Sequence, residues 1–350
     1  MTQEPTEPTE PAEPTEPQAA PRTVRFDAAV AEGLRQMMQA DERVFCAGQG
    51  VRAGGGGGAF AGLHEEFGDR RVVDTPISEQ AIAGLGVGAA VAGLRPVIDL
   101  TLMDFALLAM DQIVNQAAKF RYLFGGEATV PLTITCVTGA GSSAGAQHSQ
   151  SLEAMLCHVP GLKVVMPSSP AEAKGLLVAA IRDDNPVAFL MPRALLAASG
   201  PCREDLFEAP IGRARVVRPG SVCTVVAYGR AVAQALRVGE QLSGEGLEVE
   251  VVDVRALQPL DIDTIVGSVE RTNRCVVAHE AVRFAGLGAE IAAQVQQRAF
   301  DHLDAPVARL GAPFTPVPFS PPLEAAFVPS DDRLADTIRA VCDDESAALS

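Results

Sequence analysis

A helix made almost entirely of small residues constrains this chain more than any other stretch. Residues 81–94 read Ala-Ile-Ala-Gly-Leu-Gly-Val-Gly-Ala-Ala-Val-Ala-Gly-Leu. Ahead of it, Arg71-Val72-Val73-Asp74 has the pattern of a short strand, Pro76 sets a turn, and a helix begins at Ser78 or just after it. Each glycine inside a helix costs about 1 kcal/mol relative to alanine. A run of them makes sense where another backbone must come close. The helix is therefore expected to be buried, with Glu79 in its first turn. Two readings of these residues stand: Ser78 and Glu79 cap the helix and complement its dipole, or Glu79 is a functional carboxylate.

The rest of the chain alternates apolar strands with helical stretches. Val44-Phe45-Cys46-Ala47, Pro96-Val97-Ile98-Asp99-Leu100, Pro131–Val137, Lys163–Pro167 and Val187–Leu190 are near-continuous apolar runs, as strands of a parallel sheet covered on both faces require. Helices are expected over Phe26–Met37, from about Asp104 to Phe124, and over Ala171–Ile181. A linker at Ala197–Pro210 precedes a second alternation, with strands near Cys223–Tyr228, Glu248–Val254, Cys275–His279 and Val307–Leu310. Helices there are expected near Ala231–Leu242, Asp263–Arg271 and Gly288–Phe300. The fold class is α/β: two open, mostly parallel sheets flanked by helices. With 350 residues, 47% of them hydrophobic, the chain is long enough for two such domains.

Composition excludes several roles. The net charge of −16 argues against nucleic acid or an anionic membrane as partner. No apolar run reaches the ~18 residues that span a bilayer, and the start lacks the basic and apolar regions of a signal peptide, so a cytoplasmic protein is expected. Residues 1–22, with five glutamates and six prolines, read as an acidic, proline-rich, extended and disordered tail. The seven scattered cysteines show no C-x-x-C spacing and read as reduced, buried thiols.

Three loops carry candidate chemistry. Gly48-Gln49-Gly50-Val51 and the glycines at 54–58 follow a strand but do not match G-x-G-x-x-G, so a dinucleotide loop is rejected, and this segment is expected to be either mobile or closely packed. Phe105 stands at a strand-to-helix junction, where open parallel sheets place ligands. His148, in Gly139–Ser149, is the one histidine of five in a glycine- and serine-rich loop after a buried strand. It is either a proton-transfer residue or a histidine hydrogen-bonded at a helix start.

Asp74-Thr75-Pro76-Ile77-Ser78-Glu79, Gly93-Leu94-Arg95-Pro96, Asp111–Lys119, Ala146-Gln147-His148-Ser149-Gln150, Pro160–Val165, Ala180–Val187 and Pro316–Glu324 together resemble the beta subunit of the thiamine-diphosphate-dependent component of 2-oxo acid dehydrogenase complexes. The resemblance covers Thr23 to the C-terminus. It implies a transketolase-like pyrimidine-binding domain over 23–205 and a transketolase C-terminal-like domain over 206–345. Through it, Glu79 matches the carboxylate that hydrogen-bonds the cofactor's aminopyrimidine ring. Phe105 matches an aromatic stacked on that ring, Ile77 matches a cofactor contact, and His148 matches a proton-transfer residue. Leu132, Ala180, Ile181, Asp183 and Asn185 match positions where some members hold a structural potassium ion.

The resemblance also implies what lies elsewhere. The family's Gly-Asp-Gly motif for metal and diphosphate does not appear, since Gly68-Asp69-Arg70 lacks the second glycine. Mg²⁺ is thus expected on an alpha subunit, in an α2β2 assembly with a second beta subunit and a lipoyl acyltransferase core. The implied activity is thiamine-dependent cleavage of a 2-oxo acid or acetoin and reductive acyl transfer to lipoyl groups. A split transketolase or acyloin synthase without a lipoyl partner, and a non-catalytic assembly subunit, are the alternatives. Two positions depart from the family pattern: Gln49 replaces an acidic residue, and Met191-Pro192-Arg193 stands where acidic residues are common.

Overall fold

Alternate side chains of each central strand face opposite layers of helices, and this sets the architecture. The computed structural model describes residues 22–343. The tail expected over 1–22 thus lies outside the described residues except for Arg22, which opens the first strand. The strands are β1 (Arg22–Arg25), β2 (Val44–Gly48), β3 (Val72–Asp74), β4 (Arg95–Leu102), β5 (Thr133–Thr138), β6 (Lys163–Val165), β7 (Val187–Pro192) and β8 (Ser199–Cys202). They continue as β9 (Arg215–Arg218), β10 (Cys223–Ala227), β11 (Val249–Asp253), β12 (Ala256–Gln258), β13 (Cys275–Val282) and β14 (Ala308–Ala312).

Seven strands form one sheet in the order β12-β6-β7-β5-β4-β2-β3, parallel apart from β12. Val44, Cys46, Val97, Val187 and Phe189 pack on one face, against the helices Phe26–Ala40 and Pro170–Arg182. Phe45, Ala47, Ile98, Leu100, Ala188 and Leu190 pack on the other, against the helix Glu79–Val91 and the segment from Met103 to Ala118. That second layer continues through Val226, Val252, Ile265 and Ile291, so one apolar core joins the two sheets. The second sheet runs β14-β13-β10-β11-β9, with only β9 antiparallel. The two open, mostly parallel sheets expected from the sequence are present.

Four details differ from the sequence-based expectation. The helix Glu79–Val91 is buried on one side only: Gly86 abuts the sheet so tightly that a Cβ there would lie 2.8 Å from Leu132, whereas Leu85 and Val91 are 44% and 45% exposed. The single helix expected over 104–124 is instead α (Met103–Ala106), 3-10 (Leu107–Ala109), π (Asp111–Ala117) and α again (Ala118–Leu123). The wide turn ends where the Ala118 carbonyl meets the Gly161 backbone, so closely that a Cβ at 161 would sit 2.0 Å from that oxygen. The linker at 197–210 contains β8, which pairs with β1. Finally, β12 lies beyond that linker yet adds to the first sheet beside β6. No helix among the described residues is long and apolar enough to cross a membrane.

Lys174 fastens the linker. Its side chain is fully buried, and Nζ donates to Glu32 Oε1 (2.7 Å) and to the carbonyls of Arg203 (3.1 Å) and Glu204 (2.8 Å). Lys174→Ala leaves those acceptors unpaired, and a loss of about 3 kcal/mol is expected, read as a lower urea midpoint at unchanged slope. An unchanged midpoint would count against the clamp.

Candidate functional site

In the first sheet, β3 lies on one side of β2 and β4 on the other, so the chain reverses its direction of travel after β3. Such a switch opens a crevice at the carboxyl ends of the parallel strands. Ile77 and Glu79 follow β3, Phe105 follows β4, and His148 lies in the loop after β5. The topology thus brings the sequence-predicted residues to one end of neighbouring strands.

Glu79 opens its helix and is 8% exposed. Its carboxylate makes no hydrogen bond or ion pair with any described residue. The residue as a whole is buried, but its carboxylate oxygens keep contact with solvent and so stay open to a donor from outside the chain. Capping by Ser78 is not observed: its side chain accepts no bond from the first turn, and only its carbonyl serves the helix, through Ile82 N (2.9 Å). Ile77 is 71% exposed, an apolar side chain in the open at the same helix start.

Phe105 and His148 meet edge to face, with ring centroids 5.3 Å apart and planes at 84°. Phe105 is half-buried and His148 is exposed. His148 stands in a turn rather than at a helix start, with its N–H on the Gly145 carbonyl (3.3 Å). Gly145 has φ 76°, and a Cβ there would come within 3.2 Å of Phe319, which brings the Pro316–Glu324 stretch against this loop. Buried Asp104 accepts from Gln150 Nε2 (2.8 Å), tying the Phe105 segment to the far end of the loop.

Several residues beside this rim escaped the sequence reading. Asp99, fully buried in β4, accepts from Gly56 N (2.6 Å), Thr135 Oγ1 (3.0 Å) and Thr101 N (3.3 Å). The 54–58 glycine run is therefore closely packed, not loose. Burial pushes the Asp99 carboxyl up to about 6, against the pull of those three donors. Arg193, noted in the sequence only as a departure, reaches Gly139 O, Ser142 Oγ and His148 O. Glu280 and Glu324, from the second sheet and the helix Pro321–Phe327, accept amides of the same loop. The only sequence signal for them was position: a carboxylate at a strand end and one in a proline-rich motif.

The five positions tied to potassium come together at the carboxyl end of the helix Pro170–Arg182. Arg95 Nη1 donates to Ile181 O (2.9 Å) and Asp183 O (3.1 Å), Lys163 pairs with the Asp183 carboxylate, and Arg121 Nη1 donates to Asn185 Oδ1 (2.9 Å). Leu132 O accepts from Val187 N (2.9 Å). Among the described residues no group of three His, Cys, Asp or Glu is placed to hold a metal ion. Asp69 is instead paired with Arg52 (3.0 Å) and His64 (2.9 Å).

The transketolase pyrimidine-binding domain family matches residues 22–198, and the transketolase C-terminal domain family matches 212–334. The chain is 44% identical over 326 residues to the acetoin:2,6-dichlorophenolindophenol oxidoreductase subunit beta of Bacillus subtilis (strain 168), covering 89% of this chain and 95% of that one. It is 44% identical over 318 residues to the pyruvate dehydrogenase E1 component subunit beta of Rickettsia felis, covering 89% and 98% respectively. A split-gene transketolase, an inactive β4 tetramer, shares the fold at a TM-score of 0.72 and 20% identity, over 91% of this chain and 98% of that one.

Asp99 generates a pH prediction. Its folded-state pKa lies above the ordinary carboxylate value, so its contribution to stability is greatest below about pH 4 and is lost as pH rises through about 6. The stability difference between the wild type and Asp99→Asn should therefore change by on the order of 3 kcal/mol between those limits. Denaturant titrations across pH 4–7 measure it, and a pH-independent difference would contradict the assignment.

Proposed function

Because this chain belongs to the family of E1 beta subunits of pyruvate and acetoin dehydrogenase complexes, we propose that it forms the pyrimidine-side half of a thiamine diphosphate site. The observation that carries this reading is Glu79: a residue only 8% exposed whose carboxylate has no partner among the described residues, at the head of a helix, on the rim of the switch-point crevice. Glu79 would hydrogen-bond the cofactor's aminopyrimidine ring, with Ile77 and Phe105 against its faces. Stacking by Phe105 contributes about 0.5–1.5 kcal/mol beyond area burial. When bound, the cofactor supplies a carbon centre that adds to a substrate carbonyl and accommodates the charge left by C–C cleavage. His148 exchanges a proton with the substrate's oxygen, a role an exposed imidazole in a held loop can fill.

The metal–diphosphate half falls to an alpha subunit carrying Mg²⁺, and the exposed small-residue side of the helix Glu79–Val91 supports such close association. The assembly is α2β2, with a second copy of this chain and a lipoyl acyltransferase core as acceptor, in the cytoplasm. Residues 23–205 carry the pyrimidine-binding domain and 206–345 the C-terminal-like domain. Pyruvate, acetoin and branched-chain 2-oxo acids are the substrate candidates.

Dye reduction by the complex reconstituted with its alpha subunit, thiamine diphosphate and Mg²⁺ tests the reading. Glu79→Gln should lower turnover by about 100-fold or more, and His148→Ala should lower turnover while sparing cofactor binding. Unchanged activity in Glu79→Gln sinks the assignment, and lost assembly in His148→Ala points to a structural histidine. Potassium at residues 132, 180, 181, 183 and 185 would share the carbonyls of Leu132, Ile181 and Asp183 with the donors they already have, since each carbonyl oxygen has two lone pairs. Replacing choline by potassium at constant ionic strength should then raise the melting temperature, and no change would remove the ion from this site.

A further inference from the structure

The loop carrying His148 is gripped on both its carbonyl side and its amide side by residues far away in sequence. On the carbonyl side, Arg193 Nε donates to Gly139 O (3.0 Å), Nη1 to Ser142 Oγ (3.1 Å) and Nη2 to His148 O (2.6 Å). One planar guanidinium thereby spans both ends of the loop, which a lysine's point charge cannot do. On the amide side, Glu280 accepts from Ala140 N, and Glu324 accepts from Gly141 N (3.1 Å) and Ser143 N (3.0 Å). Both carboxylates are nearly buried and both come from the second half of the chain. Gly139, at φ 87°, admits this grip because any Cβ there would lie 2.5 Å from Glu280 Oε1.

We propose that Arg193, Glu280 and Glu324 act as positioning residues for His148, holding its loop between one guanidinium and two carboxylates. The proposal rests on the reading of His148 as the proton-transfer residue. Four residues of this loop have positive φ (Gly139, Gly141, Ser143 and Gly145), and the grip fixes the amides and carbonyls that lie between them. Beside Ala140 N and Glu324, Glu280 faces Arg230 at 3.9 Å and, further off, Glu153. Burial pushes the Glu280 carboxyl up to about 7. The grip is therefore strongest above neutral pH, where Glu280 is ionised and the better acceptor for an amide.

Arg193→Lys and Arg193→Ala in the reconstituted complex test this. Expected is a fall in kcat of about ten- to a hundredfold with KM and thiamine diphosphate affinity within about twofold, together with partial rescue of Arg193→Ala by added guanidinium. Hydrogen exchange on the full chain should show the amides of Ala140, Gly141 and Ser143 protected in the wild type and faster in Arg193→Ala and Glu324→Gln. Glu280→Gln should remove the part of the acid-side fall in kcat that centres near pH 7. Unchanged exchange in these variants overturns the grip, whatever the activity. Faster exchange with unchanged kcat overturns its role in turnover. Should His148→Ala itself leave turnover intact while exchange in Arg193→Ala rises, the histidine assignment fails and the grip stands as a purely structural one.

Discussion

A parallel sheet covered by helices on both faces has only its ends left for polar chemistry. In the first sheet of this chain, Val44 to Gly48 and Thr133 to Thr138 are buried along their whole length, so no functional side chain can emerge from the middle of a strand. Everything reactive must follow the last residue of a strand, and the position of β2 between β3 and β4 decides which strand ends adjoin. Glu79, Phe105 and His148 are each separated from the next by dozens of residues, and this one constraint brings them to the same rim.

The rim sets buried carboxylates beside exposed side chains such as Ile77 and His148. Asp99, Asp104, Glu79 and Glu324 are all at most 8% exposed, four carboxylates concentrated near one end of the first sheet. Three of the four are satisfied by amides or side-chain donors, and the strand-end loops are shaped by those bonds rather than by apolar packing. Glu79 stands apart because its carboxylate has no donor among the described residues. The contrast separates Glu79 from the other three more sharply than burial does, since burial is common to all four.

Much of this was legible in the sequence. The strand cores announce themselves as β-branched apolar runs, and the glycine at position 86 marks a helix pressed against a sheet. Glu79, Phe105 and His148 were singled out by combining local pattern with a family resemblance. Local pattern fails where the bond partners are remote. Glu280 and Glu324 bind amides about 140 and 180 residues upstream, and neither carboxylate has a neighbour in sequence that explains its burial. The π-helical stretch at Asp111–Ala117 has an ordinary amphipathic sequence, and its widening accompanies a contact with Gly161 on a different element. Strand β12 is three residues long, too short for any alternation to show. Arg193 was visible as an anomaly, but its meaning lay in three oxygens spread over ten residues of loop.

The placement of β12 has a consequence for how the chain can be divided. Residues 256–258 complete the edge of the sheet that residues 44–192 build, so the border between the halves in space does not coincide with any border along the backbone. A gene fragment ending at the linker would encode a sheet whose β6 edge is bare, with unpaired amides open to another chain. Recombination between relatives at that point would exchange the edge strand together with Glu280 and Glu324 while leaving behind the loop they hold. Swapping the second half between homologues therefore alters the strand-end rim of the first, and the two halves are bound to vary together.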